Sequence, residues 1–243
     1  MPIAELIGIA IAISIAAFVQ SISGFGLALL SVPLMSLFTD VRLAVVVVNL
    51  IGLVTTSAQA IKERQHADVS LANRITVAAI VAMPLGFVAF VFLSETILKL
   101  GLGIVVLVIT FYLMRGFTMV STSRAMDWIF GGISGALSTS VGTNGPPLVF
   151  LFQARQLPQE KFRATISRVF IFSNIVTVAI FAFAGKITQD ALLAFIVAVP
   201  VLVASIAVGF WARKFIDQKR FRILVFSLLI ISGFSTIISA LSQ

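Results

Sequence analysis

The chain has 243 residues, 60% hydrophobic and 11% charged, with a mean hydropathy of +1.15, which excludes a water-soluble domain because a globular protein of this length needs a largely polar surface. The apolar residues fall in runs of roughly 17 to 25 without strand-like alternation, which fits membrane-crossing helices and not a membrane barrel. The formal charge of +8 sits in short clusters between those runs, so it reads as membrane orientation and not as a nucleic-acid face; the absence of cysteine and the single histidine, His66 in the polar stretch "KERQHADVSLANR", remove thiol chemistry and leave no metal or cofactor site to expect.

In chain order, the first 38 residues hold an apolar run to Phe18, a small polar break "QSISGFG", and a shorter run "LALLSVPLMSLF". The N-terminal run has no basic leader and carries Glu5, so it reads as a retained membrane segment. Spans are expected at 43–61, 75–93 and 100–114. After them comes a mostly apolar region, 128–152, interrupted by "TSVGTNGPP", and then spans at 165–184, 191–210 and 223–241. The basic stretches 62–74, 115–124 and 213–222 face the cytoplasm by the positive-inside rule. Arg124 and Arg155 then lie on the same side, and the roughly 25 residues between them are too few for two crossings, which need about 40. They fit a re-entrant helical hairpin. The first 38 residues have the same form, although their first run is long enough to span alone, so a re-entrant hairpin and a full span both remain open there. With both hairpins, only Arg42, Lys99 and Lys186 of the 17 cations fall outside, while the acids divide almost evenly, as the rule requires. Both termini are then expected outside.

The fold expected is an all-α polytopic membrane protein of two inverted repeats, each a re-entrant hairpin followed by three transmembrane helices. Residues 1–118 form the first repeat, 119–126 a cytoplasmic linker, and 127–243 the second. Pro33–Leu34 and Pro147–Leu148 in the hairpins, and Pro84 and Pro200 in mid-span, are the matching positions. Inverted repeats with interrupted helices are typical of secondary transporters.

Irregular backbone at membrane depth must face protein or a polar cavity. The second half-helix of a hairpin begins at its tip, where free N–H groups and the helix dipole favour an anion. Pro146 and Pro147 suit a first helical turn and place the later half-helix start near Gly145, with Asn144 or Thr143 as N-cap and with Gly142 and Gly145 permitting close approach to the backbone. In the first hairpin Ser23 is the expected cap, with Gly24 and Gly26 around Phe25 at the turn. Gly131, Gly132 and Gly135 read as helix-packing residues. Within spans, Asn49, Gln59, Arg168 and Asn174 are further polar candidates: Arg168 as a charge partner for an anion or snorkelling to the interface, the asparagines as ligands or as bonds between helices. No Asp or Glu lies at mid-span, so a carboxylate proton relay has only Glu5 or Asp127 near segment ends, and no nucleotide-binding loop is present. An enzyme would need a base or metal at depth that the chain lacks, so no catalytic residue is expected.

The stretches "SGFGLALLSVPLM" and "GGISGALSTSVGTNGPPLVFLF", followed by "FRAT" at 162–165, resemble the TauE/SafE family, also called the sulfite exporter or TSUP family, over nearly the whole chain. The resemblance implies a permease of the plasma (inner) membrane for small sulfur-containing or organic anions such as sulfite or sulfoacetate, commonly in the export direction. The chain departs from the family where a run of glycines is expected: it has "VGTNGPP", with Thr143 and Asn144 in place. The function expected is therefore a secondary transporter alternating access to a midplane site at the hairpin tips, with Ser23, Gly24, Phe25, Gly26, Thr143, Asn144 and Gly145 as donors and Asn49, Arg168 and Asn174 behind them. An anion channel and a non-transporting membrane subunit are the alternatives. The expected partners are a small anionic substrate, the lipid bilayer and, as an optional assembly, a second copy in a homodimer.

Overall fold

The computed structural model describes residues 1–23, 26–63, 66–115 and 123–242. The described residues fold into α1 (Ile3–Ser23), α2 (Leu27–Met35), α3 (Val41–Glu63), α4 (Val69–Phe92), α5 (Glu95–Arg115), α6 (Arg124–Val141), α7 (Gly145–Ala154), α8 (Gln159–Phe183), α9 (Gln189–Ala212) and α10 (Gln218–Leu241), with a 3-10 turn at Arg213–Phe215. Among them α1, α4, α5, α8, α9 and α10 are the six helices long and apolar enough to cross a bilayer. The chain is an all-α, multi-pass membrane protein. Helices begin earlier than the apolar runs do because polar residues start them. Asp68 accepts the Leu71 N–H at 3.0 Å and opens α4 at Val69, while Pro158, with φ −54° and ψ 145°, precedes α8 in an extended conformation that a helix cannot continue through.

Both interruptions fold back on themselves. A Cβ on Gly8 of α1 would lie 2.5–2.9 Å from atoms of Phe38, so the chain leaving α2 has returned to the beginning of α1. The start of α2 corrects one expectation. Ser23 ends α1 and does not cap α2; the N-cap is Gly26 at φ 101°, a conformation open to glycine, and no side chain bonds the first turn. Gly24 and Phe25, and the side chains of Ser23 and Gln59, lie outside the described residues. In the second hairpin Gly142, at φ 74°, ends α6: its N–H and that of Thr143 both reach the Leu137 carbonyl, as a left-handed residue at a helix end allows. Gly142 is thus required by the helix end itself.

The helices group into two compact units, and neither is a half of the sequence. One comprises Met1–Val48, Leu93–Gly116 and Thr188–Gln243. In it α1 packs parallel to α9, with the Ser14 and Ser205 hydroxyls 2.9 Å apart and Gly209 pressed against Ser21; α5 packs on α10. The other comprises Asn49–Phe92 and Phe117–Ile187. There α6 packs parallel to α4 at backbone distance. A Cβ on Gly131 would sit 2.8 Å from the Ile75 carbonyl, one on Gly135 would overlap the Ala79 carbonyl, and one on Gly86 would overlap that of Ala136. Gly131 and Gly135 do face a neighbouring helix as expected, whereas Gly132, a third of a turn away, makes only an ordinary contact at 3.7 Å. At the end of this unit where α4 and α8 begin, Asp68 also pairs with Lys161 at 3.3 Å, and its N–H donates to the buried Thr165 hydroxyl at 3.0 Å.

Two measurements check this packing. Gly135→Ala should destabilise the protein by about 1–3 kcal/mol in thermal unfolding, since the obstacle is backbone that cannot rotate away. Gly101→Ala, with nothing within 4 Å of the new methyl, should be neutral or stabilise by up to about 1 kcal/mol through helix propensity. The Leu71 N–H, and secondarily Lys161, hold the Asp68 carboxyl below its ordinary value against the opposing effect of burial. A lowered folded-state pKa means that this stabilisation is complete above the unfolded value of about 4 and is lost as pH falls through the folded one. Acidification below about pH 4 should therefore narrow the stability difference between wild type and Asp68→Ala.

Candidate functional site

The second break is built by opposing local demands. Gly142 turns the chain out of α6, and α7 starts at Gly145 with Pro146 and Pro147 in its first turn, where the missing N–H groups leave no helical bond unmade. Asn144 occupies the N-cap position as expected, but its backbone is already helical (φ −97°, ψ −14°) and its side chain does not cap. Its carbonyl instead accepts the Ser134 hydroxyl at 2.6 Å, which draws the start of α7 back beside α6. The prolines also remove two backbone donors that a helix N-terminus normally offers. What this break presents is therefore the Gly145 N–H, the dipole of a ten-residue helix, and the side chains of Thr143 and Asn144.

Thr143 stands out physically. It is fully buried, and among the described residues its hydroxyl has no hydrogen-bond partner, a state that costs about 1–3 kcal/mol when nothing fills the place. α8 supplies two similar groups. Ser173 is buried with its hydroxyl unmatched, and Arg168, half-buried, has a buried Nε without a partner among the described residues, while its guanidinium lies 5.5 Å from the centre of the Phe172 ring. Phe170 of the same helix lies 3.6 Å from where a Cβ on Gly145 would stand, so the backbone at Gly145 is open enough to accept a methyl.

The first break offers a different set of donors. No proline occupies the first turn of α2, so Leu27, Ala28 and Leu29 carry backbone N–H groups that no side chain caps. Here the backbone provides the donors, whereas the second break offers one backbone N–H, that of Gly145, beside the Thr143 and Asn144 side chains.

The two asparagines are engaged with neighbouring helices. Asn49 donates to the Ser138 carbonyl at 3.3 Å, and Asn174 donates to the Thr56 hydroxyl at 3.2 Å while lying over Gly52. Ser138 and Thr177 hydroxyls meet at 3.1 Å, and Thr139 donates to the Met83 carbonyl at 2.8 Å. The result is a connected polar column among α3, α4, α6 and α8. Its hydroxyls recur at the small-residue positions of α6, a spacing visible in "GGISGALST" but read there only as packing.

Sequence reasoning also missed a charge cluster at the hairpin base. Asp127 is 0% exposed and is bridged at 2.6 Å by Arg155, the C-cap of α7, and at 3.1 Å by Arg74 of α4. Arg155 also donates to the Ser123 carbonyl at 3.0 Å, and Arg74 to the Ser70 hydroxyl at 2.8 Å. The cluster ties the entry of α6 to the exit of α7 and fixes both to α4. The signal available was a lone carboxylate one residue into an apolar run, "DWIF"; nothing in the sequence indicates which arginines meet it.

Three comparisons bear on these features. The family described as sulfite exporter TauE/SafE matches residues 9–236. A probable sulfite/organosulfonate exporter TauE from Cupriavidus necator is 25% identical, the alignment covering 98% of this chain and 95% of that protein. No solved structure matches the chain.

Removal of the Asp127 carboxylate leaves two arginines facing one another without their counter-charge. Asp127→Ala should cost about 3 kcal/mol or more, read as loss of thermal stability, with Asp127→Asn intermediate because it keeps one acceptor.

Proposed function

Because the chain belongs to the sulfite exporter TauE/SafE family, we propose that it is a secondary transporter, working as an exporter at the plasma membrane, for small sulfur-containing or organic anions such as sulfite or an organosulfonate. The name carried by the Cupriavidus necator relative supports that substrate class. The observation that carries the reading to particular atoms is Thr143: a fully buried, unmatched hydroxyl at the start of a helix is a donor waiting for an acceptor, and the helix dipole there favours a negative one.

On this reading neutral donors hold the anion, with one cation compensating its charge. Thr143, Asn144 and the Gly145 N–H are the donors proposed at the second break; Ser23, Gly24, Phe25 and Gly26 are the candidates that the sequence offers at the first. Arg168 supplies the compensating charge, resting on Phe172 when no anion is present. Neutral hydrogen bonds in a low-dielectric site are strong enough to replace part of the anion's hydration and weak enough to release it, which a carrier requires. Asn49 and Asn174 act on the site through the helix contacts they hold. Two inverted repeats account for the repeated use of one arrangement: the first helix of each hairpin lies parallel to the second span of the other half, α1 on α9 and α6 on α4. Alternating access would expose the helix breaks to each side in turn, with both chain termini outside.

Proteoliposomes test the reading. Wild type should show saturable sulfite and organosulfonate flux with exchange across the membrane. Thr143→Val should lose about ten- to hundredfold in apparent affinity, the value of one hydrogen bond to a charged group, while melting at a higher temperature than wild type in the absence of anion because it removes an unmatched hydroxyl. Non-saturating currents without exchange would identify a channel, and no flux above empty vesicles would end the transporter reading.

A further inference from the structure

Outside the helix breaks, the surface of α5 and α10 carries a second feature with ligand chemistry. These helices, both in the unit that contains Met1–Val48, pack antiparallel: a Cβ on Gly103 would lie 2.5 Å from Ile237 and 2.9 Å from the Gly233 carbonyl, and one on Gly233 would lie 3.0 Å from Leu107. Two glycines bring the backbones together at that crossing. Beyond it the side chains enlarge and the helices leave a cavity of about 480 Å³, lined by Leu107, Val108, Phe111, Tyr112 and Phe234. Val108, Phe111, Tyr112 and Phe234 are each about half exposed, so the cavity opens outward from the protein. It is a shallow, open depression whose walls are hydrocarbon and aromatic carbon with a single phenol.

One wall of this groove also carries a cation. The guanidinium of Arg115, the last residue of α5, stands 4.8 Å from the centre of the Phe111 ring, one helical turn from the groove, and Arg115 is exposed. The sequence 115–126 contains two arginines and no carboxylate. Antiparallel register sets the beginning of α10 at this same end, and the sequence 217–222 there is net basic, with three cations to the one carboxylate of Asp217. An apolar slot ending in an exposed, stacked guanidinium within a basic region is complementary to a molecule with an anionic head and a hydrocarbon tail. In a protein embedded in a bilayer that molecule is a phospholipid.

We propose that the groove between α5 and α10 is a binding site for one anionic phospholipid, with an acyl chain along Leu107, Val108, Phe111 and Phe234 and the headgroup phosphodiester on Arg115. The charge selects the headgroup: a zwitterionic lipid fills the groove equally well but carries its own ammonium into a region that is already positive. A second copy of this chain is the lesser match, because its matching segments, 115–126 and 217–222, would bring five further cations against one carboxylate, Asp217.

The test uses the full-length protein and two probes with identical acyl chains, phosphatidylglycerol and phosphatidylcholine. Native mass spectrometry counts retained lipid, and melting temperature is measured in nanodiscs of each. Wild type should retain one phosphatidylglycerol with a preference of roughly tenfold over phosphatidylcholine. Arg115→Gln should bring that preference close to one while melting as wild type does in phosphatidylcholine. Phe234→Trp, or Val108→Phe if the first does not fold, should lower retention of both lipids by filling the groove. Equal retention of the two lipids by wild type, or a preference that survives Arg115→Gln, would overturn the proposal. So would a dimer mass that Phe234→Trp abolishes, since the groove would then be occupied by a second copy.

Discussion

Hydrocarbon offers no partner to an open backbone N–H or C=O, and each group left unmatched there costs several kcal/mol, so a chain that crosses a bilayer is pressed to remain helical throughout. Among the described residues two apolar segments are interrupted, after α1 and after α6, and much of the surrounding structure serves to make those interruptions tolerable. At the second break Gly142 closes α6 with two bonds to the Leu137 carbonyl, Pro146 and Pro147 delete N–H groups that would otherwise be unmatched, and Ser134 satisfies the Asn144 carbonyl. After that local accounting the Thr143 hydroxyl is left over, which is why it is the atom on which a ligand reading rests. The first break is handled differently, with Gly26 in a left-handed conformation and the first-turn N–H groups of α2 left uncapped by side chains.

The hairpins need support along their length as well as at their tips, and backbone-close packing supplies it. Gly131 and Gly135 let α6 approach α4 until only hydrogen fits between carbonyl and Cα, and Gly209 admits Ser21 in the same way where α1 meets α9. Small residues are the means by which helices associate in lipid, where apolar side chains gain little from leaving the solvent. At the base of the second hairpin the Asp127 carboxylate adds an electrostatic tie between three elements. The same use of glycine, at Gly103 and Gly233, holds α5 to α10 and sets the point beyond which their groove opens.

Several of these features could be read before any coordinates. The half-helix start at Gly145 follows from the proline pair, since two adjacent residues without N–H groups leave no helical bond unmade only in a first turn. The facing of Gly131 and Gly135 follows from their spacing of four residues. The reading failed where residue type has more than one local use. Ser23 looks like a cap, but capping depends on which φ the preceding turn imposes, and Gly26 takes that position at φ 101°. For Asn49 and Asn174 the sequence left both uses open, ligand or bond between helices; the structure shows each bonded to a neighbouring helix, which only the helix partners decide.

Composition, run length and the distribution of Lys and Arg by themselves determined that the chain is an all-helical membrane protein with two broken segments, because partition into hydrocarbon and the cost of unmatched backbone act on each segment separately. The assembly of those segments was decided by tertiary structure alone. Helices from the two halves of the sequence interleave into compact units, and Asp127 meets Arg74 and Arg155 across 53 and 28 residues of chain. Charge and hydropathy say on which side a residue lies but carry no information about which neighbour it will face; that is settled by the shape of glycine-lined helix surfaces, a property of pairs of helices that no single segment contains.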